Sequence, residues 1–502
     1  MLAIEKDLRG DGGNDRFCHQ FILGPEFVKA LSGWQRIPIS DCLKLTIHPE
    51  VPVTRVEAGQ TSITIIGYIL DPLRPEVENE LIGQTLLSEF SSIETLVAAT
   101  ARYGGRWIIL AKRQERSLLF NDAMGLRQVF YSLPGSANGL WLMSQPGILA
   151  WHLGLKVDSE AESFMTSLEV RGRSEYRWPG TATAFREIRH LLPNHYLDLD
   201  SGKCHRFWPN QALGDLSLEA GIEKASTLLK GLMDAASRRF DLVLGMTAGL
   251  DSRVVLAAAK GIRAEISAVT VRQGQMSDSH QDIAVATRLL DRVGISHVIV
   301  RALTWMSGAF SKKFKQNVFF AHDHYGPDVE ALLDRFSRTK AAVTGSGAEV
   351  AREPFRKRID ASKGVFTASD LASLQYMDEN KFAMEYFSQW LEDTGNLYNV
   401  HLLDVFAWEQ SHGNWLAGTQ MEFDLAWLDI FTPFNCRELM ICLLSVEGRH
   451  RISPDYKLFV SLIENLWPEL LAEPINPDQS VKVSRLREMA RSVKKYLSNR
   501  VK

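Results

Sequence analysis

The stretch that most constrains this chain is residues 242–256, which reads as strand, tight turn and helix. Leu242-Val243-Leu244 is an apolar run short enough for a buried parallel strand. Val254-Val255-Leu256 and the alanines that follow suit a helix packed on a sheet. Between them Thr247, Ala248 and Gly249 are small enough to let a ligand approach peptide N–H groups. The following helix adds unpaired N–H donors and a partial positive charge, a geometry that binds anions and phosphate above all. Asp251 sharpens this, because a carboxylate beside a phosphate is repelled unless a cation lies between them, and Mg²⁺ commonly bridges the two. The stretch reads as a magnesium-nucleotide site. Its bland alternative is an ordinary strand-to-helix turn with Asp251 or Ser252 as N-cap.

The turn resembles a family motif. Thr247, Ala248, Gly249, Leu250, Asp251 and Ser252 are similar to the Ser-Gly-Gly-x-Asp-Ser pyrophosphate loop of the asparagine synthetase B group and other ATP pyrophosphatases. Thr247 keeps the hydroxyl of the family serine, while Ala248 adds a Cβ that restricts the backbone to negative φ.

The likeness extends along the chain. Tyr103-Gly104-Gly105-Arg106-Trp107 and the segment at 121–131 resemble the amidotransferase domain of asparagine synthetases. Residues 185–197 are similar to the family's link between its two domains. The resemblance implies a fold that is α/β overall: an N-terminal α+β Ntn-type amidotransferase-like sandwich at 1–208, then a doubly wound parallel-sheet ATP pyrophosphatase domain with a helical C-terminal part at 209–480. The family's glutaminase works through a cysteine at residue two. Here residue two is Leu2, which has no nucleophilic atom, so the first domain is expected to keep the fold without that activity. Cys18 is the nearest thiol, but an internal cysteine lacks the adjacent free amine.

Periodicity supports the second domain independently. A helix is expected from near Ser217, followed by strands at 265–271 and 297–300 around a helix at 281–293, an alternation that indicates a doubly wound parallel sheet. Ligands in such sheets sit at the carboxyl ends of the strands. By resemblance, Val271 is where the family holds adenine through its backbone. Gly345-Ser346-Gly347-Ala348-Glu349 resembles the family's Gly-x-Gly-x-Asp-Glu turn, which makes Glu349 a second Mg²⁺ ligand with Asp251; Val350 stands where the family has its other acid. Lys457 roughly matches a family lysine that contacts phosphates and stabilises the adenylation transition state. Trp408, Trp415 and Trp427 read as core. His322-Asp323-His324 is set aside as a metal cluster, since alternate residues of a strand point to opposite faces.

Composition excludes little but orients the reading. A formal charge of -3 gives no bulk drive toward nucleic acid or membrane, and no stretch approaches the length needed to span a bilayer. Five scattered cysteines without CxxC spacing suit a reducing cytoplasm and argue against zinc. Residues 481–502 form a basic amphipathic tail, with Leu486, Ala490, Val493 and Leu497 on one face, that can touch an anionic surface. The implied activity is an amide ligase using ATP and Mg²⁺, which adenylates a small-molecule or peptide carboxylate for attack by an amine donor. The alternatives are a non-catalytic nucleotide- or partner-binding descendant and a nucleotide-dependent tRNA modification enzyme.

Overall fold

The computed structural model describes residues 16–477 apart from 168, 169, 171, 174, 275, 357, 361, 362 and 379, so the basic tail at 481–502 lies outside the described residues. Alternation of buried and outward positions makes the first half a sheet protein. One antiparallel sheet runs β10 (Ile188–His190), β8 (Phe130–Ser132), β9 (Leu142–Met143), β1 (Phe21–Gly24), β3 (Lys44–Ile47), β2 (Gln35–Pro38). A second runs β12 (Lys203–Arg206), β11 (His195–Asp198), β7 (Arg116–Asn121), β6 (Gly104–Arg113), β5 (Thr61–Leu70), β4 (Val53–Ala58).

The period of two places Phe21, Leu23, Leu45 and Ile47 against Ile66, Ile108, Leu110 and Leu119, which form the core between the sheets. Their neighbours Ile63, Ile65, Ile109 and Phe120 face outward onto helices α1 (Asn79–Glu89) and α2 (Ile93–Thr100). Ile22 and Met143 do the same for α3 (Pro146–Leu153) and α4 (Ser159–Thr166) on the far side. The result is four layers, helix-sheet-sheet-helix.

The second half carries a five-stranded sheet in the order β15 (His297–Arg301), β14 (Ser267–Arg272), β13 (Leu242–Gly245), β16 (Ala341–Val343), β17 (Asp429–Phe431). Every pairing in it is parallel, as the alternation of strands and helices predicts. Strand order reverses between β13 and β16, which makes that gap the switch point where such sheets take ligands. Helix α5 (Leu218–Arg239) leads into β13, capped by Ser217, which accepts from the Ala220 N–H. No helix among the described residues is long and apolar enough to cross a membrane.

The halves are joined by the motifs that resemble the amidotransferase domain. Gly104 leaves room for Leu232 of α5, whose Cδ2 lies 2.5 Å from where a Cβ would sit. Arg106, 3% exposed, forks onto Asp424 at 2.5 and 2.8 Å and touches Asp429 at 3.3 Å, while Arg127 reaches Asp429 at 3.1 Å. Asn435 accepts from the Met124 N–H at 2.8 Å and donates to Gly105 O at 2.6 Å. Trp408, fully buried, donates to Ala123 O, and Trp427 is buried too. Trp415 is only partly buried and donates to Glu175.

Candidate functional site

The turn after β13 starts α6 (Leu250–Ala258) with Gly249 as N-cap, in extended conformation and without a side-chain cap bond. Neither Asp251 nor Ser252 caps the helix. Both lie in its first turn, because the small Thr247-Ala248-Gly249 stretch reverses the chain two residues before Asp251 and three before Ser252. Beside the turn, at the carboxyl ends of β13, β14 and β16, lies a cavity of about 340 Å³ whose lining includes Thr247, Val271, Gln273, Thr344, Phe423 and Trp427. Two of the expected site residues, Thr247 and Val271, thus border one space at the switch point.

The loop donors are partly engaged. The Ala248 N–H donates to Asp282 Oδ1 at 3.0 Å, and the Gly249 N–H to Thr247 Oγ1 at 3.1 Å. Asp282 sits in the first turn of α7 (Gln281–Val293), where a carboxylate is favoured by the helix dipole. Thr247 and Ser252 hydroxyls lie 3.3 Å apart across the turn, and Asn476 donates its backbone N–H to Ala248 O.

The second glycine motif packs directly on the first. A Cβ on Gly345 would lie 2.5 Å from Asp251 C and 2.7 Å from Ser252 N, so only glycine permits this approach. Ser346 O accepts from Thr432, and Gly347 takes φ +106° against Met124 and Phe434. The chain then enters a 3₁₀ turn, Ala348–Arg352, in which residues three apart share a side. Glu349 Oε2 accepts from the Gly347 N–H at 2.9 Å and lies 3.5 Å from His412 Nε2. Asp251 and Glu349 are brought together as expected, but the group between them is Arg352. Its Nη2 stands 2.7 Å from Asp251 Oδ2 and 3.8 Å from Glu349 Oε1.

Burial and the neighbouring Glu349 carboxylate push the Asp251 carboxyl up to about 7 against the pull of Arg352. Glu349 is held low despite its desolvation, by His412 and Arg352, so the proton of the pair rests on Asp251. Arg352 Nε and Thr344 Oγ1 are buried without hydrogen-bond partners among the described residues.

Mg²⁺ demands near-octahedral oxygen ligands at about 2.1 Å. Here the two carboxylates clasp a guanidinium, and Val350, fully buried, supplies no further oxygen. This arrangement does not fit the ion. Lys457 is not drawn into the site either. It is the exposed first residue of the helix Lys457–Leu466, and its charge is felt by Glu219, a carboxylate stabilised first by its own backbone N–H and by Ser217.

Other candidates resolve into structure. His322-Asp323-His324 lies in a turn rather than a strand; His322 pairs with Glu422 and His324 with Glu175. Cys18, His19 and Glu50 come close enough to share a metal, yet the Arg338 guanidinium lies on both His19 and Glu50. Burial pushes the Cys18 thiol up to about 11, and it donates to Asp424 O, which disfavours the reactive thiolate.

Arg352, His412 and Asp282 have no counterpart among the residues expected from the sequence. A signal existed for Arg352, which lies three residues past Glu349 in a turn. His412 belongs to a π-helix, Ala407–Leu416, which reads in sequence as ordinary helix.

No protein-family model matches the chain, and no curated protein matches it. Among solved structures it is similar to a glutamine-dependent NAD⁺ synthetase from Acinetobacter baumannii in complex with ADP, at 13% identity and TM-score 0.20, over 40% of this chain and 43% of that one. The chain therefore spans less than half the length of that synthetase. A U34-tRNA thiolase from Methanococcus maripaludis matches at 11% identity and TM-score 0.20, over 38% of this chain and 71% of that one. A glutamine phosphoribosylpyrophosphate amidotransferase from B. subtilis, complexed with ADP and GMP, matches at 12% identity and TM-score 0.21, over 67% of this chain and 72% of that one. Likeness this low carries no weight for fold or activity, which rest on the chain's own residues.

Proposed function

We propose that this chain is an ATP-dependent amide ligase that adenylates a carboxylate and passes the acyl group to an amine, without a glutaminase of its own. The observation that supports it is the cavity at the switch point, which reaches Thr247 at the head of the turn and holds Val271 on its wall. The nucleotide base enters the apolar cavity and the phosphates lie over the turn, where α6 presents first-turn N–H groups and its positive end. The substrate carboxylate attacks the α-phosphorus, pyrophosphate leaves, and the amine then attacks the acyl carbon and releases AMP. Arg352, paired with Asp251 in the first turn of α6, and the helix terminus supply the positive charge for the departing pyrophosphate in this reading. In this reading the amine comes from solution or from the substrate itself.

A second reading, binding without catalysis, is favoured by the Ala248 N–H, which already holds the Asp282 carboxylate in place of a phosphate oxygen. Calorimetric titration of ATP tests the first step. Thr247 is exposed, so Thr247→Glu should fold while placing a charge under the phosphates and weakening binding by about tenfold or more. Pyrophosphate exchange that depends on an added carboxylate supports the ligase, and binding without exchange selects the second reading. Folded wild-type protein that takes up no ATP at millimolar concentration sinks both nucleotide readings.

A further inference from the structure

We propose that Arg352 is a built-in cation that replaces the divalent ion at the Asp251–Glu349 pair, so that the site holds a nucleoside triphosphate without Mg²⁺. The inference rests on the nucleotide reading above and departs from the magnesium site expected from the sequence.

Four features of the geometry carry it. First, the guanidinium already spans the two carboxylates, 2.7 Å from Asp251 and 3.8 Å from Glu349, in the position a bridging ion would take. Second, it is held there. The Tyr456 and Phe459 rings stand 5.6 and 5.8 Å from its central carbon, and the side chain is only 15% exposed, so an arriving metal must break a seated cation–aromatic contact as well as an ion pair. Third, the other oxygen of Glu349 is taken by the Gly347 N–H and by His412, and Val350 lies fully buried where a second acid would be needed. With the guanidinium in place as well, an ion is left with too few oxygens. Fourth, Arg352 Nε is buried without a hydrogen-bond partner among the described residues. A guanidinium bound at one edge by a carboxylate keeps its remaining donors in a fixed fork, which suits a phosphate oxygen.

The chemistry is that of a fixed monovalent charge in place of a labile divalent one. It predicts nucleotide binding that does not depend on magnesium, and a site that a metal enters only once Arg352 is gone.

Two measurements on the full chain test this. Mn²⁺ titration followed by electron paramagnetic resonance reads the metal site without nucleotide. Wild type should leave the free-ion signal intact at micromolar metal, whereas Arg352→Ala should gain a bound Mn²⁺ that Asp251→Asn/Arg352→Ala loses. Calorimetry with ATP in EDTA and in Mg²⁺ reads the ligand: wild-type affinities should agree within about threefold, and Arg352→Ala should lose about tenfold in EDTA and regain it with metal. Arg352→Met, which keeps the apolar stem in its aromatic cradle, replaces the alanine variant if that one fails to fold. A wild-type Mn²⁺ site abolished by Asp251→Asn, or ATP binding that vanishes in EDTA and returns with Mg²⁺, overturns the inference while leaving the nucleotide reading intact. Absence of ATP binding in both media overturns the two together.

Discussion

At the scale of single residues, the candidate site is decided by what lacks a side chain as much as by what has one. Gly345 lies against the backbone of Asp251 and Ser252, so a methyl group there has nowhere to go except by parting the two motifs. Gly345→Ala should destabilise the protein by about 1–3 kcal/mol and weaken ATP binding with it. Gly261 is the control, since a Cβ there meets nothing within 4 Å; Gly261→Ala should stay within roughly 0.5 kcal/mol of wild type. Urea unfolding of both variants decides the matter, and equal effects would mean that the contact between the motifs is not specific. The same scale shows why the site was only partly legible in the sequence. The turn at 247–252 is a local pattern, and the acid at Glu349 follows from the resemblance of the second glycine turn to a family motif. Arg352 was within reach, but a search framed around metal ligands looks for acids, and a base three residues on carries no such signal. Asp282 and His412 are placed by packing across long stretches of chain, which no local pattern records.

Among the elements, the π-helix Ala407–Leu416 does the most to organise the molecule. Its wider turns put Glu409, Gln410, His412 and Asn414 all in the interior. Glu409 accepts from Asn194 at 2.9 Å and Trp390 at 2.8 Å and pairs with Arg206; Gln410 accepts from the Gly180 N–H; Asn414 meets His190. The sequence marks a helix here but not this one, since four polar residues inward contradict any amphipathic pattern and most of their partners lie some two hundred residues away. The strands and helices of the parallel sheet were more open to reading. Helix α7 falls at the predicted residues, because its apolar face repeats cleanly between an acidic start and a glycine end. Packing against this region also buries two histidines. Desolvation pushes His190 and His195 down to about 4, so both are neutral in the folded protein at physiological pH. Because their folded pKa lies below the unfolded value near 6.5, the unfolded chain takes up protons first as pH falls. Their contribution is complete above about pH 6.5 and is lost on the way down to about pH 4, costing roughly 2 kcal/mol each by pH 5. His195→Gln should lose less stability than wild type between about pH 7.5 and pH 5 in urea titrations; an unchanged slope would show that His195 is not the proton acceptor.

On the scale of the whole molecule, the two halves are fastened by charges that neither can leave unpaired. Arg106 and Arg127 come from the first half, Asp424 and Asp429 from the second, and all four are buried. The Arg106 guanidinium, together with His19, holds Asp424 far below the usual carboxylate range in spite of its desolvation. Arg106→Ala should cost about 3–5 kcal/mol, because it strands Asp424 in the interior, whereas Arg106→Met/Asp424→Leu should recover more than half of that. A single variant that costs under about 1 kcal/mol in thermal unfolding would remove the clasp from the account. The fastening also bears on how the chain comes into being on the ribosome. Arg106 waits for a partner 318 residues further on, and Arg127 for one 302 residues further on. At about 5–20 residues per second, that is roughly 15–60 s of synthesis. Throughout that interval the nascent first half lacks the two carboxylates that pair with these cations in the folded protein. Completion of the early half is timed by translation of the late one.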